Sequence, residues 1–227
     1  MPFIKAHDGY LTVFNMFEAD NQENHERLLE EMRAIIDTGH TFPGWMSSTL
    51  HACEDAPGTA NYIQWRSLQD LENRYAGDRY KSNTVPLFQQ ISTSVHLLKT
   101  EVVFSQHHPD LERIEISPDR DDWTVIIVME VAPEHQDELV SLLGRPDEWL
   151  MTVPGYRSHG ICRGIDGTFI VLYAQWASKE AYDAYHHMRE SDRPVEQQEI
   201  RAAVDKIITA RRAHTYRVVY TRSRQQA

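Results

Sequence analysis

Hydrophobic and polar positions change their spacing in the same order twice along the chain. Residues 11–20 form a β-rich run, and the charged stretch 23–37 that follows has apolar residues three and four positions apart. This spacing predicts an amphipathic helix, because such side chains share one helix face. The same succession recurs at 124–133 and 134–143. Two segments of the chain are therefore predicted to begin with a strand and a helix.

An ungapped repeat follows each of these helices. Residues 43–67 align with residues 154–178 at an offset of 111, and eight of the 25 positions are identical. The identities include a Pro-Gly pair and the run Tyr-x-Gln-Trp-x-Ser. Average residue usage gives about one or two identities over this length, so the pattern indicates a duplication.

The rest of each copy completes one small α+β unit. A hairpin turn divides the repeated segment into two strands. A second helix at 68–80 or 179–190 and a closing strand at 97–105 or 215–222 follow. The order β-α-β-β-α-β is the split βαβ, or ferredoxin-like, arrangement. One such sheet leaves a bare face, so we predict that two copies stack face to face as a pseudo-dimeric α+β barrel in one chain.

The repeat also predicts the domain organisation. We assign an N-terminal ferredoxin-like domain to residues 1–105, a polar linker to 106–121, and a C-terminal ferredoxin-like domain to 122–227.

Charge and composition narrow the class of partner. The chain has 23 basic and 34 acidic residues, a net charge of −11. Nucleic acids and anionic membranes bind basic surfaces, so neither is an expected partner. No apolar run approaches a membrane span and the N-terminus lacks a signal layout, so we expect a cytoplasmic protein. Two cysteines are too few for a disulfide framework or a Cys-rich zinc site.

Candidate chemistry concentrates in the first copy. A period of two along its second strand places Trp45 and His51 on one face, and the next strand places Asn61 and Trp65 on one face. Because a hairpin joins these strands, we expect His51 and Asn61 to converge. Histidine has the side-chain pKa best suited to proton transfer near neutrality.

The second copy differs at the positions that carry this chemistry. Leu172 replaces Asn61 and Cys162 replaces His51, so the fold itself does not require polar groups there. We therefore predict that the first copy is catalytic and that the second copy is mainly a scaffold. Asn15, matched by Ile127, either bonds a neighbouring backbone group or faces the pocket.

The motif Pro-Gly-Trp-x-Ser-x3-His followed by Asn-x3-Trp-x-Ser resembles the antibiotic biosynthesis monooxygenase family in tandem form, over residues 9–105 and 122–222. The first copy fits better. The resemblance implies an oxygenase that uses O2 to turn an aromatic polyketide into a quinone, or to open or rearrange one of its rings, in bacterial antibiotic biosynthesis. It implies no metal and no tightly bound prosthetic group. Some relatives take reduced FAD or FMN from a separate flavin reductase.

Oxygenation of a phenol or anthrone needs a proton acceptor, neutral donors for the developing oxyanion, and aromatic walls. We predict His51 as the base or proton shuttle, with Asn61 and Trp65 steadying the oxyanion and the peroxide. The family often carries a tyrosine six residues after the tryptophan, where this chain has Leu71, so Tyr75, one turn later, takes that place. The predicted substrate-binding residues are Phe14, Asn15, Trp45, Arg66, Arg74 and Tyr75.

Haem degradation is an alternative reading within the same fold. The resemblance implies an asparagine on the first strand, a tryptophan on the third, and a haem-ligating histidine ten residues later. The first copy has Asn15 and Trp65 but Tyr75 in place of the histidine, whereas the second has Trp176 and His186 but lacks the asparagine.

Two further alternatives remain. An iron site could use His186, His187 and Glu190, or the histidines and aspartate within 107–110, since two histidines and a carboxylate suit iron. These are better explained as solvated charged faces. A non-catalytic protein that binds a hydrophobic intermediate is the other alternative. No glycine-rich dinucleotide motif is present, so any reduced flavin is expected to come from a separate protein. The sequence leaves open whether the fused chain forms a homodimer.

Overall fold

The protein, described for residues 1–224 by a computed structural model, folds around a closed barrel of eight antiparallel strands. The strands are β1 Phe3–Ile4, β2 Leu11–Glu18, β3 Trp45–Cys53, β4 Gly58–Trp65, β5 Ser94–His107, β6 Ile114–Glu115, β7 Trp123–Val131, β8 Tyr156–Gly164, β9 Phe169–Trp176 and β10 Ile208–Ser223. The α-helices are α1 Gln22–Asp37, α2 Leu68–Ala76, α3 Val85–Ile91, α4 Gln136–Leu143, α5 Lys179–His186 and α6 Val195–Ile207.

Strand order confirms the predicted pseudo-dimeric α+β barrel. Around the barrel the order is β10-β3-β4-β2-β5-β8-β9-β7, and β7 pairs with β10 to close it. Two long strands join the halves, because β5 pairs with β2 of its own half and with β8 of the other. In the same way β10 pairs with both β7 and β3. The interior is apolar and takes side chains from both halves.

Helices cover the outer face of each half-sheet. In α1, Leu28, Met32 and Ile36 recur every four residues and are buried against the sheet and α3. Ser67 begins α2 by accepting a hydrogen bond from the Asp70 backbone N–H, and Ser178 begins α5 in the same way. These caps account for the repeated serine. None of the helices in residues 1–224 is long and apolar enough to cross a membrane.

A turn precedes the second strand of each half, and a β-bulge lies at the start of that strand. Gly44 and Gly155 have φ of +78° and +80°, a conformation that favours glycine. A bulge then shifts the register between Trp45 and Ser47, and another does so between Tyr156 and the serine two residues later. Each bulge leaves the aromatic residue on the outer face, towards the helices. Beyond the bulge, the residues that an unbroken alternation would place on that face point into the barrel instead.

Several elements differ from the sequence expectation. The second helix ends at Ala76, and a π-helical turn at Tyr80–Thr84 leads into α3, which the pattern did not predict. Helix α6 was also not predicted. The segment 106–121 is more than a polar connection, because β6 pairs with β1 and the side chains of Ile114 and Ile116 are buried in the barrel interior.

Candidate active site

A cavity of about 230 Å³ lies in the first half, between the outer face of the sheet and the helical layer. Its floor comes from β2, β3 and β4, and its roof from α1, α2, α3 and the π-helical turn. Phe17, Met32, Phe42, Ile63 and Phe88 form much of an apolar wall. Such walls suit flat rings and exclude water.

Four buried polar atoms face this cavity without a hydrogen-bond partner within the described residues. They are the carboxamide oxygens of Asn15 and Asn61, the indole nitrogen of Trp65 and the hydroxyl of Tyr75. Asn15 and Asn61 are register partners on β2 and β4, so their side chains lie side by side. Leaving such a group unpaired costs about 1–3 kcal/mol. The cavity is therefore prepared for a ligand with donor and acceptor groups.

The polar groups of the cavity are held in defined states. Burial raises the pKa of Tyr75 and outweighs the opposite effect of the neighbouring Asn15 side chain, so the hydroxyl remains a donor at neutral pH. The two groups are near each other but do not reach hydrogen-bond geometry, so both stay available to a ligand. The Tyr75 ring stacks on Tyr80 at 4.7 Å between centroids. The Trp45 indole N–H donates to Ser48 Oγ at 2.8 Å and is thereby fixed against the wall.

Arg74 adds one cation to this site. Its guanidinium lies 4.3 Å from the centroid of Phe42 and 5.0 Å from that of Tyr80. Burial lowers the pKa of Arg74, although an arginine remains charged near neutrality. It faces the same cavity as Asn15 and Asn61, so an anionic oxygen bound there would lie in a positive field.

Contrary to the predicted convergence, His51 lies on the opposite face of the sheet from Asn61. The β-bulge after Trp45 shifts the alternation, so His51 points into the barrel interior. There its Nε2 lies 2.9 Å from the Tyr173 hydroxyl and its Nδ1 lies 3.2 Å from the Ala60 carbonyl oxygen. Burial lowers the pKa of His51 to about 4. The prediction that His51 acts on a ligand beside Asn61 is wrong.

Two predicted binding residues also lie elsewhere. Phe14 is enclosed in the barrel interior, edge-on to Tyr62 at 5.4 Å between centroids, because it alternates with Asn15 along β2. Arg66 is exposed and holds Asp70 through two hydrogen bonds of 3.0 and 2.7 Å. The cavity therefore collects Asn15, Trp45, Asn61, Trp65, Arg74 and Tyr75 from the predicted set, and not Phe14, His51 or Arg66.

The second half has a larger cavity, of about 470 Å³, in the equivalent place. Ile127 and Leu172 line it as apolar counterparts of Asn15 and Asn61. However, Tyr156 and His159 stand where the first half has Trp45 and Ser48, and they are hydrogen-bonded at 2.8 Å. The expectation that this half is mainly a scaffold overlooked this pair. The repeat alignment could have revealed the pair, because it places Tyr156 and His159 opposite Trp45 and Ser48.

The predicted iron ligands are not brought together. Within residues 1–224, the group whose ligand atoms come within mutual reach of a metal is Cys53, Asp55 and His214. His187 instead uses Nδ1 to contact the Asp183 carbonyl oxygen at 2.9 Å. The structure thus gives no support for either iron site considered from the sequence.

Comparisons with known proteins point to one family. Residues 123–205, in the second half, match the family model described as antibiotic biosynthesis monooxygenase. A tetracenomycin-F1 monooxygenase from Streptomyces glaucescens is 40% identical over 72 residues, which are 31% of this chain and 64% of the relative. The chain thus spans less than two thirds of that relative.

Solved structures extend the similarity to the whole chain. A crystal structure of an anthrone oxidase-like protein has a TM-score of 0.93 at 41% identity and covers 99% of this chain and 98% of its own. A ferredoxin-fold protein from Listeria monocytogenes, related to antibiotic biosynthesis monooxygenases, has a TM-score of 0.51 at 12% identity and covers 94% of this chain and 96% of its own. At that identity, the second similarity concerns the fold alone.

Proposed function

Because this chain belongs to the antibiotic biosynthesis monooxygenase family, in a tandem form with two copies in one chain, we propose that it oxidises a phenolic aromatic polyketide with O2. The names of two relatives support this substrate class, since one is a tetracenomycin-F1 monooxygenase and the other is anthrone oxidase-like. The observation that carries the proposal is the set of four unpaired buried polar atoms in an apolar cavity of the first half.

The proposed reaction converts the methylene carbon of an anthrone into a quinone carbonyl. The substrate loses a proton, and the resulting carbanion forms a carbon–oxygen bond to O2. The second C–H bond then breaks as the O–O bond breaks. One oxygen atom stays as the carbonyl and the other leaves as water, so the carbon loses four electrons and O2 gains them.

The first cavity is suited to the substrate anion. The Trp65 indole N–H and the Tyr75 hydroxyl would donate to the substrate oxygen as its charge develops. The Asn61 carboxamide can offer its oxygen or, after rotation, its amino group to the same substrate. The described residues that line this cavity include no carboxylate or imidazole. The donors and Arg74 would therefore favour ionisation by lowering the substrate's own pKa, with the proton leaving to solvent.

Flavin is the alternative source of electrons. A cavity of about 230 Å³ with one arginine suits a few fused rings better than a flavin dinucleotide with its two phosphates. In the proposed reaction all four electrons therefore come from the substrate. Reduced FAD or FMN from a separate reductase is tested as a co-substrate in the assay.

The test is O2 uptake by metal-free protein with a panel of anthrones and phenolic polycyclic compounds, with and without reduced FAD or FMN. We expect uptake and quinone formation without flavin. Turnover that needs reduced flavin, above the flavin's own oxidation, would instead establish a flavin-dependent reaction. Absence of turnover under both conditions would overturn the proposal.

Asn61→Leu tests the site itself. Leu172 occupies the equivalent position of the second half, so leucine is compatible with this place in the fold. Removing one oxyanion partner lowers kcat by about 10²–10³, and we expect a loss of that size. Because leucine also removes an unpaired buried polar group, Tm should not fall. The matched control is Gln69→Leu on the exposed face of α2, which should keep full activity. Full activity of Asn61→Leu would refute the assignment.

A further inference from the structure

The second cavity has the size and walls of a ligand site. Its volume of about 470 Å³ is about twice that of the first cavity. Trp176 forms one wall, with Tyr185 at 4.8 Å and Tyr182 at 6.0 Å between ring centroids. Such a set of aromatic faces suits a flat ring system.

His159 is a nearly enclosed polar residue that lines this cavity beside Tyr156. Its side chain lies on β8, and the residue is only 6% exposed. Nδ1 lies 2.8 Å from the Tyr156 hydroxyl, and Nε2 has no hydrogen bond within the part of the chain that the structure describes. The equivalent residue of the first half is Ser48, so the fold does not require an imidazole here.

The contacts of Tyr156 indicate which nitrogen of His159 carries the proton. The Tyr156 hydroxyl donates to the Gln106 carbonyl oxygen at 3.2 Å and accepts from Gln106 Nε2 at 3.4 Å. A hydroxyl has one hydrogen. All three contacts are satisfied when that hydrogen goes to Gln106 and the His159 Nδ1–H donates to Tyr156. Nε2 is then an unprotonated acceptor.

The surroundings keep this imidazole neutral. Burial lowers the pKa of His159 to about 4. Gln106 is itself anchored, because its Oε1 accepts from the Asp147 backbone N–H at 2.8 Å. The ionisable and charged residues that line the same cavity are Arg145, Asp147, Glu148, Tyr156, Tyr182, Tyr185, His186, Glu196, Arg201, Asp205 and Arg211.

We propose that the second half is a ligand site of its own for a planar phenol, which it binds in the neutral form through a hydrogen bond from the phenol O–H to His159 Nε2. Tyr156 is the positioning residue that fixes the imidazole. In the first site donors and Arg74 favour the phenolate, whereas the arginines that line the second cavity, Arg145, Arg201 and Arg211, are each paired with a carboxylate. This proposal concerns binding, and it does not depend on oxygenase activity in the first half.

The test uses equilibrium binding of 2-hydroxyanthraquinone to the full chain, followed by calorimetry and by the colour change that accompanies ionisation of the phenol. We expect two molecules per chain. In Asn61→Leu, where the first site is weakened, we expect the remaining bound dye to stay protonated at a pH at which the free dye is half ionised. A bound dye that is ionised in this variant, or loss of all binding in it, would overturn the proposal.

His159→Ser copies the residue of the first half and removes the acceptor from the position of Nε2, which the shorter serine hydroxyl does not reach. Loss of one neutral hydrogen bond weakens binding by about threefold to tenfold, and we expect this change in the second site alone, together with loss of the dye's pKa shift. Tyr156→Phe should reduce the same pKa shift without removing the imidazole. Unchanged affinity and an unchanged dye pKa in His159→Ser would refute the role of His159.

A change in the ligand separates binding from folding. 2-Methoxyanthraquinone lacks the phenolic hydrogen, so it should bind the second site of the unmodified chain about threefold to tenfold more weakly than the phenol. At the second site of His159→Ser, measured with the first site weakened by Asn61→Leu, the two ligands should bind equally. If both proteins prefer the phenol to the same degree, the proposed hydrogen bond does not exist.

Discussion

Two of the buried histidines in the described part of the chain, His51 and His159, have a pKa that burial lowers and no charged partner. His51 lies in the barrel interior and His159 lies against the second cavity, and burial lowers the pKa of each to about 4. An unfolded chain exposes both, with a pKa near 6.5. Between about pH 6.5 and 4 the unfolded state therefore binds more protons than the folded state. Stability falls as the pH falls through that interval.

His51→Gln should reduce the pH dependence of the free energy of unfolding, because it removes one of the two histidines. Each such histidine contributes up to roughly 3 kcal/mol of destabilisation between pH 7 and pH 4. We expect the free energy of unfolding, measured in urea at pH 7.5 and pH 4.5, to change less with pH in the variant than in the unmodified chain. His40→Gln, an exposed control, should leave the difference unaltered. Equal pH dependence in all three proteins would contradict the buried neutral state.

The prediction of which residues share a strand face was correct where the strands are regular. Asn15, Asn61 and Trp65 share one face because β2 and β4 pair without a break in register. His51 was misplaced because β3 has a bulge after Trp45, which reverses the alternation beyond it. A period of two cannot reveal a bulge. The same limitation hid His159, whose strand has the matching bulge.

The Pro-Gly turn is the element that sets the distance between each strand and its second helix. The carbonyl oxygens of Gly44 and Gly155 accept hydrogen bonds of 2.7 Å from the backbone N–H groups of Arg66 and Ala177, just before the helices. A Cβ at Gly155 would overlap the Cβ of Ala181 on α5. Both the positive φ and this close approach require glycine, which explains why the pair recurs in both copies.

Gly155→Ala should destabilise the chain more than Gly9→Ala. Gly9 has the same φ of +80° but nothing near its Cβ position, so the control loses only about 1–2 kcal/mol to backbone strain. The overlap with Ala181 adds roughly 1–3 kcal/mol at Gly155. Thermal unfolding of the two variants measures the difference. Equal Tm values would show that helix approach does not constrain the turn.

Element-level predictions were limited by tertiary packing. Helix α1 was predicted from its spacing, because a long amphipathic face has a clear period. Helix α3 has only seven residues and buries Phe88 and Ile91, too short a pattern to separate from a loop. That helix nevertheless contributes to the roof of the first cavity, so the floor of the site could be predicted more completely than its roof.

At the scale of the whole molecule, the halves are one barrel because two strands belong to both. β5 continues from its pairing with β2 into its pairing with β8, and β10 continues from β7 to β3. The duplication could be predicted from the sequence. The pairing of β5 and β10 with strands of both halves could not, because such pairing leaves no periodic signal in the sequence. The linker matters less for holding the halves together than its place in the sequence suggests.

Cutting the chain between Pro109 and Asp110, in the exposed part of the linker, should therefore leave the barrel intact. With a protease site inserted there, we expect the cut protein to elute in gel filtration as the uncut one does. Ile114 and Ile116 would remain buried in the interior with the second half. Because unfolding then releases two chains, the urea midpoint of the cut protein should rise with protein concentration, whereas that of the uncut protein should not. Separation of the halves in native buffer would show instead that the shared strands do not suffice to hold the barrel closed.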